Sequence, residues 1–80
     1  MKELKVFTAP WCTSCKVLKK ALAATALSAN LTFIDIEDNP QLANDYGIRA
    51  LPTLVIEEDS AEIKRATGAK TSAQLQEFLL

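Results

Sequence analysis

Cys12 and Cys15 are the only two cysteines of this 80-residue chain, and two residues separate them. They stand where an apolar extended run gives way to a helical pattern, so both thiols are expected on the first turn of a helix. At this spacing two thiols can close a small disulfide ring without movement of the backbone. The first thiol would also meet free backbone N–H groups and the positive end of the helix dipole, which favour a thiolate. The pair therefore predicts a dithiol/disulfide redox centre.

Metal binding and structural cross-linking are the two other uses of such a pair. Zinc needs four nitrogen or sulfur ligands, and the chain has two cysteines and no histidine. A complete zinc site would therefore need carboxylates or a second chain. A disulfide across two residues constrains little of the unfolded chain and stabilises the fold little. Redox chemistry is the favoured interpretation, and metal binding is the minor alternative.

The composition is that of one small soluble domain. A chain of 80 residues that is 49% hydrophobic and 24% charged can fill one core, so a single domain is expected over residues 1–80. The net charge of -1 gives no general attraction to nucleic acid or to anionic membranes. The N-terminus lacks the apolar core of a signal peptide, and no apolar run approaches the roughly 18 residues of a membrane helix. We expect a cytoplasmic monomer without nucleic-acid or membrane partners.

Hydrophobic periodicity predicts seven elements in the order βαβαββα. Strands are predicted over residues 4–8, 31–36, 53–57 and 61–66. Helices are predicted from residue 12 or 13 to about residue 28, from 40 to 46, and from 71 or 72 to 79. The first strand, helix and strand form a parallel βαβ unit, and a polar turn over 57–60 makes a hairpin. The predicted fold is α/β, with a four-stranded mixed sheet flanked by helices.

The first predicted helix has an apolar and a basic face. Cys15, Leu18 and Leu22 share the inner face, with Val17 among the residues beside it. Three lysines at positions 16, 19 and 20 form the opposite face, which is expected to be solvated. Lys16 alone is close enough to the thiols to support a thiolate electrostatically.

Helix-end signals bound the other two helices. Asn39 and Pro40 fit an N-cap followed by proline, and Gly47 fits a left-handed stop. Thr71 and Gln74 have the spacing of a capping box. Tyr46 is expected in the core or as a packing lid rather than as a catalytic acid. The carboxylates at 35, 37 and 38 are expected to be solvated and are assigned no role.

Five motifs along the chain carry a family resemblance: Trp11-Cys12-x-x-Cys15-Lys16, Asn39-Pro40, Tyr46-Gly47-Ile48-Arg49-x-Leu51-Pro52-Thr53, Gly68-Ala69 and Gln74-Leu75-x-Glu77-Phe78-Leu79. With these motifs the sequence from Phe7 to Leu79 resembles the thioredoxin superfamily. In overall length it is closer to the glutaredoxins, because it begins at the strand before the cysteines, without the additional N-terminal strand and helix of full-length thioredoxins.

The resemblance implies a role for each residue of the site. Cys12 would be the attacking thiol, exposed at the helix tip, and Cys15 the buried thiol that resolves the mixed disulfide. Pro52 matches the family's cis-proline, and the Leu51 backbone would offer hydrogen bonds to an extended substrate segment. Gly68 would leave room for that segment. Trp11 would form the rim of the docking surface.

The sequence departs from the family pattern between and beneath the cysteines. Thr13 and Ser14 replace the Gly-Pro of thioredoxins and the Pro-Tyr of glutaredoxins, and their hydroxyls are candidate hydrogen-bond donors to a thiolate and contacts for substrate. Val6 stands where thioredoxins carry a buried aspartate, so water or the partner thiol would take the proton of Cys15. The glutathione-binding positions of glutaredoxins, here residues 50–52 and 67–71, match poorly.

The resemblance implies a protein-disulfide reductase that binds no cofactor. Its redox group would be the Cys12–Cys15 disulfide, with electrons from NADPH through a flavoenzyme of the thioredoxin-reductase type. Its partners would be disulfide-containing proteins; ribonucleotide reductase is consistent with the family, although nothing in the sequence selects it. Two alternatives are a glutaredoxin-like reductant recharged by glutathione and a non-catalytic binding module with the thioredoxin fold.

Overall fold

The computed structural model describes residues 2–80, so Met1, the first residue of the predicted single domain, lies outside the described part. Seven elements follow one another in the predicted order βαβαββα. They are β1 (Lys2–Thr8), α1 (Thr13–Ala23), β2 (Asn30–Asp35), α2 (Pro40–Asp45), β3 (Thr53–Glu58), β4 (Ala61–Thr67) and α3 (Ser72–Phe78). None of the helices within residues 2–80 is both long and apolar enough to cross a bilayer.

The strands form one mixed sheet in the spatial order β2-β1-β3-β4. β1 is parallel to β2 and antiparallel to β3, which in turn is antiparallel to β4. The predicted four-stranded mixed sheet is confirmed. The register sets Phe7 beside both Ile34 and Thr53, and it sets Thr53 beside Thr67. Because of this register, β1, β2 and β4 end where β3 begins, and the cysteine loop starts at that end of the sheet.

Apolar clusters lie on both faces of the sheet, since successive side chains of a strand point to opposite faces. The cluster between the sheet, α1 and α3 contains the buried residues Leu4, Val6, Leu18, Leu22, Leu54, Ile56, Leu75 and Leu79. The cluster beneath α2 contains buried Phe7, Ile34 and Val55, against which Ile36, Leu42, Tyr46, Ile48 and Leu51 pack. The residues around the cysteines therefore rest on two filled cores.

The inner face of α1 is largely as predicted. Cys15, Leu18 and Leu22 are buried. Val17 was predicted beside that face and is instead 53% exposed, so that prediction is wrong. The apolar stripe is narrow because α1 packs against the sheet along one line of residues.

The end of α1 differs from the prediction, because the helix ends at Ala23 rather than near residue 28. The Thr25 hydroxyl donates to the Ala21 carbonyl at 2.6 Å, which occupies an acceptor that the next helical turn would use. The same hydroxyl lies 2.7 Å from the Ser72 hydroxyl at the start of α3. This contact directs the chain toward α3.

The two predicted N-caps differ in outcome. The capping box of Thr71 and Gln74 is confirmed, because each side chain bonds the other residue's backbone N–H, at 3.2 and 3.0 Å. Asn39 occupies the N-cap position of α2 but makes no side-chain cap. Its amide donates to the Asp35 carbonyl at 3.1 Å instead, which ties α2 to the end of β2.

The hairpin turn between β3 and β4 is shorter than predicted. Asp59 and Ser60 form it, with φ values of 53° and 68°. Glu57 was predicted as the last residue of the strand and the first of the turn, and it lies within β3 and is 5% exposed. The strand continues over Glu57 because Glu57 pairs with Glu3 on β1 and Glu62 on β4.

Candidate active site

The two cysteines are joined by a disulfide bond at the start of α1, and their Cα atoms are 5.3 Å apart. Cys12 is the N-cap residue of the helix, with extended backbone angles of φ -88° and ψ 108°. Its Sγ accepts a hydrogen bond of 3.2 Å from the backbone N–H of Cys15. A sulfur thus takes the place that a serine or aspartate oxygen fills in ordinary helix caps, which favours negative charge on it.

Cys12 is less accessible than predicted, whereas Cys15 is buried as predicted. Cys12 was expected to be exposed at the helix tip, but the residue is 8% exposed, and Cys15 is 1% exposed. Both pack in a cluster with Ala9, against which Ile36 and Leu51 lie. Cys12 remains the more accessible of the two. Its cover comes from the turn of residues 9–12, where its N–H bonds the Ala9 carbonyl at 3.2 Å, and from Leu51.

Leu51 and Pro52 lie beside the disulfide, on the segment that leads into β3. Leu51 packs against the cysteine cluster, and the Leu51-Pro52 peptide bond is cis. The Thr53 hydroxyl donates to the Ala50 carbonyl at 2.6 Å, and the Gly68 N–H donates to the Pro52 carbonyl at 2.9 Å. These bonds fix the segment from both sides.

Gly68 has a φ of +87°, a conformation that residues with a β-carbon adopt only with strain. A β-carbon built on Gly68 would meet no atom within 4 Å. The backbone conformation, rather than crowding, therefore accounts for glycine here. The space beside it is open, as the docking interpretation of Gly68 requires.

Trp11 precedes the disulfide and is 65% exposed. Its indole Nε1 donates to Glu37 Oε2 at 2.9 Å. The sequence analysis assigned Glu37 no role. The signal that could have found it is topological: β1 and β2 are parallel, so the residues that follow each strand lie at the same end of the sheet.

The remaining predicted site residues, Thr13, Ser14 and Lys16, are exposed on the first turn of α1. Across residues 2–80, the hydrogen bonds to sulfur do not include one from the Thr13 or Ser14 hydroxyl. In the disulfide form these hydroxyls face solvent, and the roles of all three residues stay predictions.

Val6 is fully buried in the core beneath α1, where the sequence analysis expected no acid. Within the described part of the chain, no three acidic or cysteine side chains are grouped so that they could hold a metal ion. The chemistry that the arrangement supports is thiol–disulfide exchange at the cysteine pair.

A second polar cluster lies on the α2 face of the sheet and consists of Lys5, Tyr46 and Glu57. Lys5 Nζ donates to Glu57 Oε1 at 2.5 Å and to the Tyr46 hydroxyl at 3.2 Å. The Tyr46 hydroxyl donates to Glu57 Oε2 at 2.5 Å. Each member of this cluster, which we call the Tyr46 network, therefore contacts both of the others.

The Tyr46 network shifts the ionisation of its members. The hydrogen bond to Glu57 raises the pKa of Lys5 and is also the main reason that the pKa of Tyr46 is raised. Burial alone would raise the pKa of Glu57, but the hydrogen bonds from Lys5 and Tyr46 outweigh burial and hold this pKa below its ordinary value of 4.5. The network therefore favours a charged Lys5–Glu57 pair and a neutral tyrosine.

Comparison with known proteins gives one consistent result. Residues 2–80 match the family model described as thioredoxin. A thioredoxin of Chlamydia trachomatis is 35% identical over 72 residues, which cover 86% of this chain and 71% of the relative. A thioredoxin of Porphyra purpurea is 34% identical over 77 residues, covering 91% and 72%.

Solved structures agree with these relatives. A mutant thioredoxin from Halobacterium salinarum NRC-1 superposes with a TM-score of 0.89 at 30% identity, covering 98% of this chain and 71% of the other. Thioredoxin from Fasciola hepatica gives a TM-score of 0.84 at 28% identity, covering 98% and 77%.

Proposed function

The chain belongs to the thioredoxin family, and from that premise we propose how its residues divide the work of the reaction. It is a thiol-disulfide oxidoreductase that acts as a protein-disulfide reductase, with its own cysteine pair as the redox group. The observation that carries the proposal is the hydrogen bond from the Cys15 N–H to Cys12 Sγ at the start of α1.

Cys12 attacks and Cys15 resolves. The Cys12 thiolate attacks one sulfur of a substrate disulfide, forms a mixed disulfide and releases the first substrate thiolate. The Cys15 thiolate then attacks Cys12 Sγ, which breaks the mixed disulfide, releases the second substrate thiolate and leaves the Cys12–Cys15 disulfide. Two electrons pass to the substrate. The nearly complete burial of Cys15 supports its assignment to the second, intramolecular step.

Cys15 must lose its proton without help from a buried carboxylate in β1, because Val6 stands where the family carries its aspartate and lies in the apolar core. The substrate thiolate released in the first step is a base close to Cys15 at that moment, and we assign the proton to it or to water. Resolution is thereby coupled to departure of the first product thiol.

The docking surface consists of Trp11, Leu51, Pro52 and Gly68, with Thr13 and Ser14 at its border. Leu51 lies against the cysteine cluster, and the Pro52 carbonyl is bonded to Gly68, so three separate chain segments meet near Cys12. An extended substrate segment would bond the backbone at Leu51 as an added strand does. Exposed Lys16 would add positive charge near the thiolate.

Recharging by an NADPH-dependent thioredoxin reductase in a reducing cytosol completes the proposed cycle. Family membership favours this route over recharging by glutathione. Disulfide-containing proteins are the proposed partners. Ribonucleotide reductase is one candidate among them.

The test is reduction of insulin, followed by NADPH consumption, with a thioredoxin reductase in one arm and glutathione with glutathione reductase in the other. We expect turnover in the first arm and little in the second. Cys12→Ser should lower turnover at least about 100-fold, because no thiolate remains to form the mixed disulfide. Full activity of that variant would contradict the assignment of Cys12 as the attacking thiol. Faster recycling by glutathione than by thioredoxin reductase would overturn the proposed recharging route.

A further inference from the structure

We propose that Tyr46 is a positioning residue for substrate docking and that Lys5 and Glu57 hold it in place. The segment that it positions is residues 47–52, here called the docking loop, which runs from the end of α2 to Pro52. The inference deepens the proposed function and rests on the docking role assigned there to Leu51 and Pro52.

Three strands hold Tyr46 at the start of the docking loop. Lys5 of β1 and Glu57 of β3 bond its hydroxyl, at 3.2 and 2.5 Å. Arg65 of β4 donates from Nη1 to its backbone carbonyl at 2.9 Å, while Glu62 holds the Arg65 guanidinium at 2.7 Å. One residue at the end of a short helix is thus bonded at both its side chain and its backbone, which fixes the direction in which the chain leaves α2.

Local geometry carries this constraint into the docking loop. Tyr46 is the C-cap of α2, and Gly47 follows with a φ of +66°. The Ile48 N–H bonds the Ala43 carbonyl at 3.0 Å, so the first turn of the loop is tied back to the helix. The loop therefore begins from a defined orientation.

Packing links Tyr46 to the disulfide. The Tyr46 ring lies 5.0 Å from the Phe7 ring, between centroids, and Tyr46 and Leu51 both pack against the buried cluster that contains Phe7. Leu51 also packs against Cys12 and Cys15. A movement of Tyr46 would thus be transmitted to Leu51, whose backbone is proposed to bind substrate.

The chemistry of the Tyr46 network suits a positioning role better than a stabilising one. Burying a carboxylate is costly, and a buried ion pair is often no more stabilising than apolar residues of the same volume. What a fully paired network supplies is a fixed geometry. Among residues 2–80, no buried side-chain nitrogen or oxygen lacks a hydrogen-bond partner, so this network is complete.

Tyr46→Phe tests the inference, because it removes the hydroxyl and keeps the ring against Phe7. The probes are insulin, which needs docking, and the small disulfide 5,5′-dithiobis(2-nitrobenzoate), which does not. We expect KM for insulin to rise about 3- to 10-fold with kcat nearly unchanged, as expected when uniform binding is lost. The rate with the small disulfide should change less than about 2-fold, because the cysteines are untouched.

Glu57→Gln is the second variant and should raise KM for insulin in the same way, because the neutral amide of glutamine cannot form an ion pair with Lys5. Glu58→Gln is the matched control, because Glu58 is the exposed neighbour on the same strand. A fall in melting temperature with unchanged KM in both variants would make the network merely structural and overturn the inference. Equal losses with insulin and the small disulfide would also overturn it. Failure of the unmodified protein to reduce insulin would instead refute the proposed function.

Discussion

The backbone N–H of Cys15 points at the sulfur of Cys12, 3.2 Å away, so one cysteine caps the helix that the other belongs to. The two residues are therefore unequal even though they lie on the same turn at the start of α1. The donated hydrogen bond and the helix dipole both act on Cys12, whereas Cys15 is enclosed beneath it. This asymmetry supports the proposed division of roles, in which Cys12 meets substrate and Cys15 releases it.

A Cys15→Ser variant should accumulate a mixed disulfide with its substrate, because the resolving sulfur is missing. The adduct is expected to survive non-reducing electrophoresis and to disappear on addition of dithiothreitol. Cys12→Ser is the matched control and should form no adduct. Adducts of equal yield from both variants would contradict the division of roles, and capture insensitive to dithiothreitol would favour a docking module without turnover.

Leu54→Ala should lower the free energy of unfolding by about 3 kcal/mol, because it opens a cavity in the core between the sheet and α1. Urea denaturation followed by circular dichroism measures the change. Val17→Ala is the control and should shift stability by less than about 0.5 kcal/mol, since Val17 is largely exposed. Similar losses in the two variants would contradict the assigned core.

Thr71→Ala should cost about 1 kcal/mol of stability, because the N–H of Gln74 loses the oxygen that caps α3. Thr71→Ser keeps that oxygen and should retain most of the stability. The measurement is again the free energy of unfolding in urea. If the serine variant lost as much as the alanine variant, the methyl group rather than the cap would be the cause.

The Glu57 carboxyl should make the free energy of unfolding depend on pH in the acidic range. Its pKa is lowered on folding from an ordinary value of 4.5, so its contribution is present above about pH 4.5 and is lost as pH falls through the folded value. Unfolding free energies measured from about pH 7 down to about pH 3 should therefore fall less steeply in Glu57→Gln than in the unmodified protein.

Glu62→Gln is the comparison for that experiment. Arg65 lowers the pKa of Glu62 in the same direction, but this pair is far more exposed than the Lys5–Glu57 pair and contributes less. The loss of unfolding free energy at acidic pH should be reduced more in the Glu57 variant than in the Glu62 variant. The reverse order would show that the buried carboxylate is not the main acid-sensitive group of the two.

Trp11 is the single tryptophan of the chain, so its fluorescence reports directly on the contact with Glu37. Glu37→Ala should change the emission maximum and lower the anisotropy, because the indole loses its anchor. Stability should change by less than about 0.5 kcal/mol at this exposed site. Asp38→Ala should leave the emission unchanged. An unaltered spectrum in the Glu37 variant would mean that the indole is held by other contacts.

What the sequence revealed depended on how local each signal was. The cysteine pair and the Thr71 capping box each lie within four residues of the chain and were predicted correctly. Leu51 and Pro52 were placed in the site only by resemblance. The mixed four-stranded sheet was predicted from the order of elements, which follows from hydrophobic periodicity along the chain.

The Tyr46 network was not predicted because it depends on strand register. Lys5 lies opposite Val55, and Glu57 lies two residues beyond Val55 on the same strand, so the two charges are diagonal neighbours on one face of the sheet. A shift of one residue would send Glu57 to the other face. The signal available in the sequence was the pair of opposite charges, Lys5 and Glu57, on two neighbouring strands. It was missed because the polar run of residues 57–60 indicated a turn.

The hairpin turn at Asp59 and Ser60 lies at the end of β3 remote from Pro52, about 17 Å along the strand at the usual rise per residue. The disulfide and the hairpin turn therefore lie at opposite ends of the sheet, and only the disulfide end exchanges electrons. A fluorophore, affinity tag or surface tether attached at the hairpin turn would leave the disulfide end of the molecule facing solution. The chain can therefore be immobilised as an oriented electron donor.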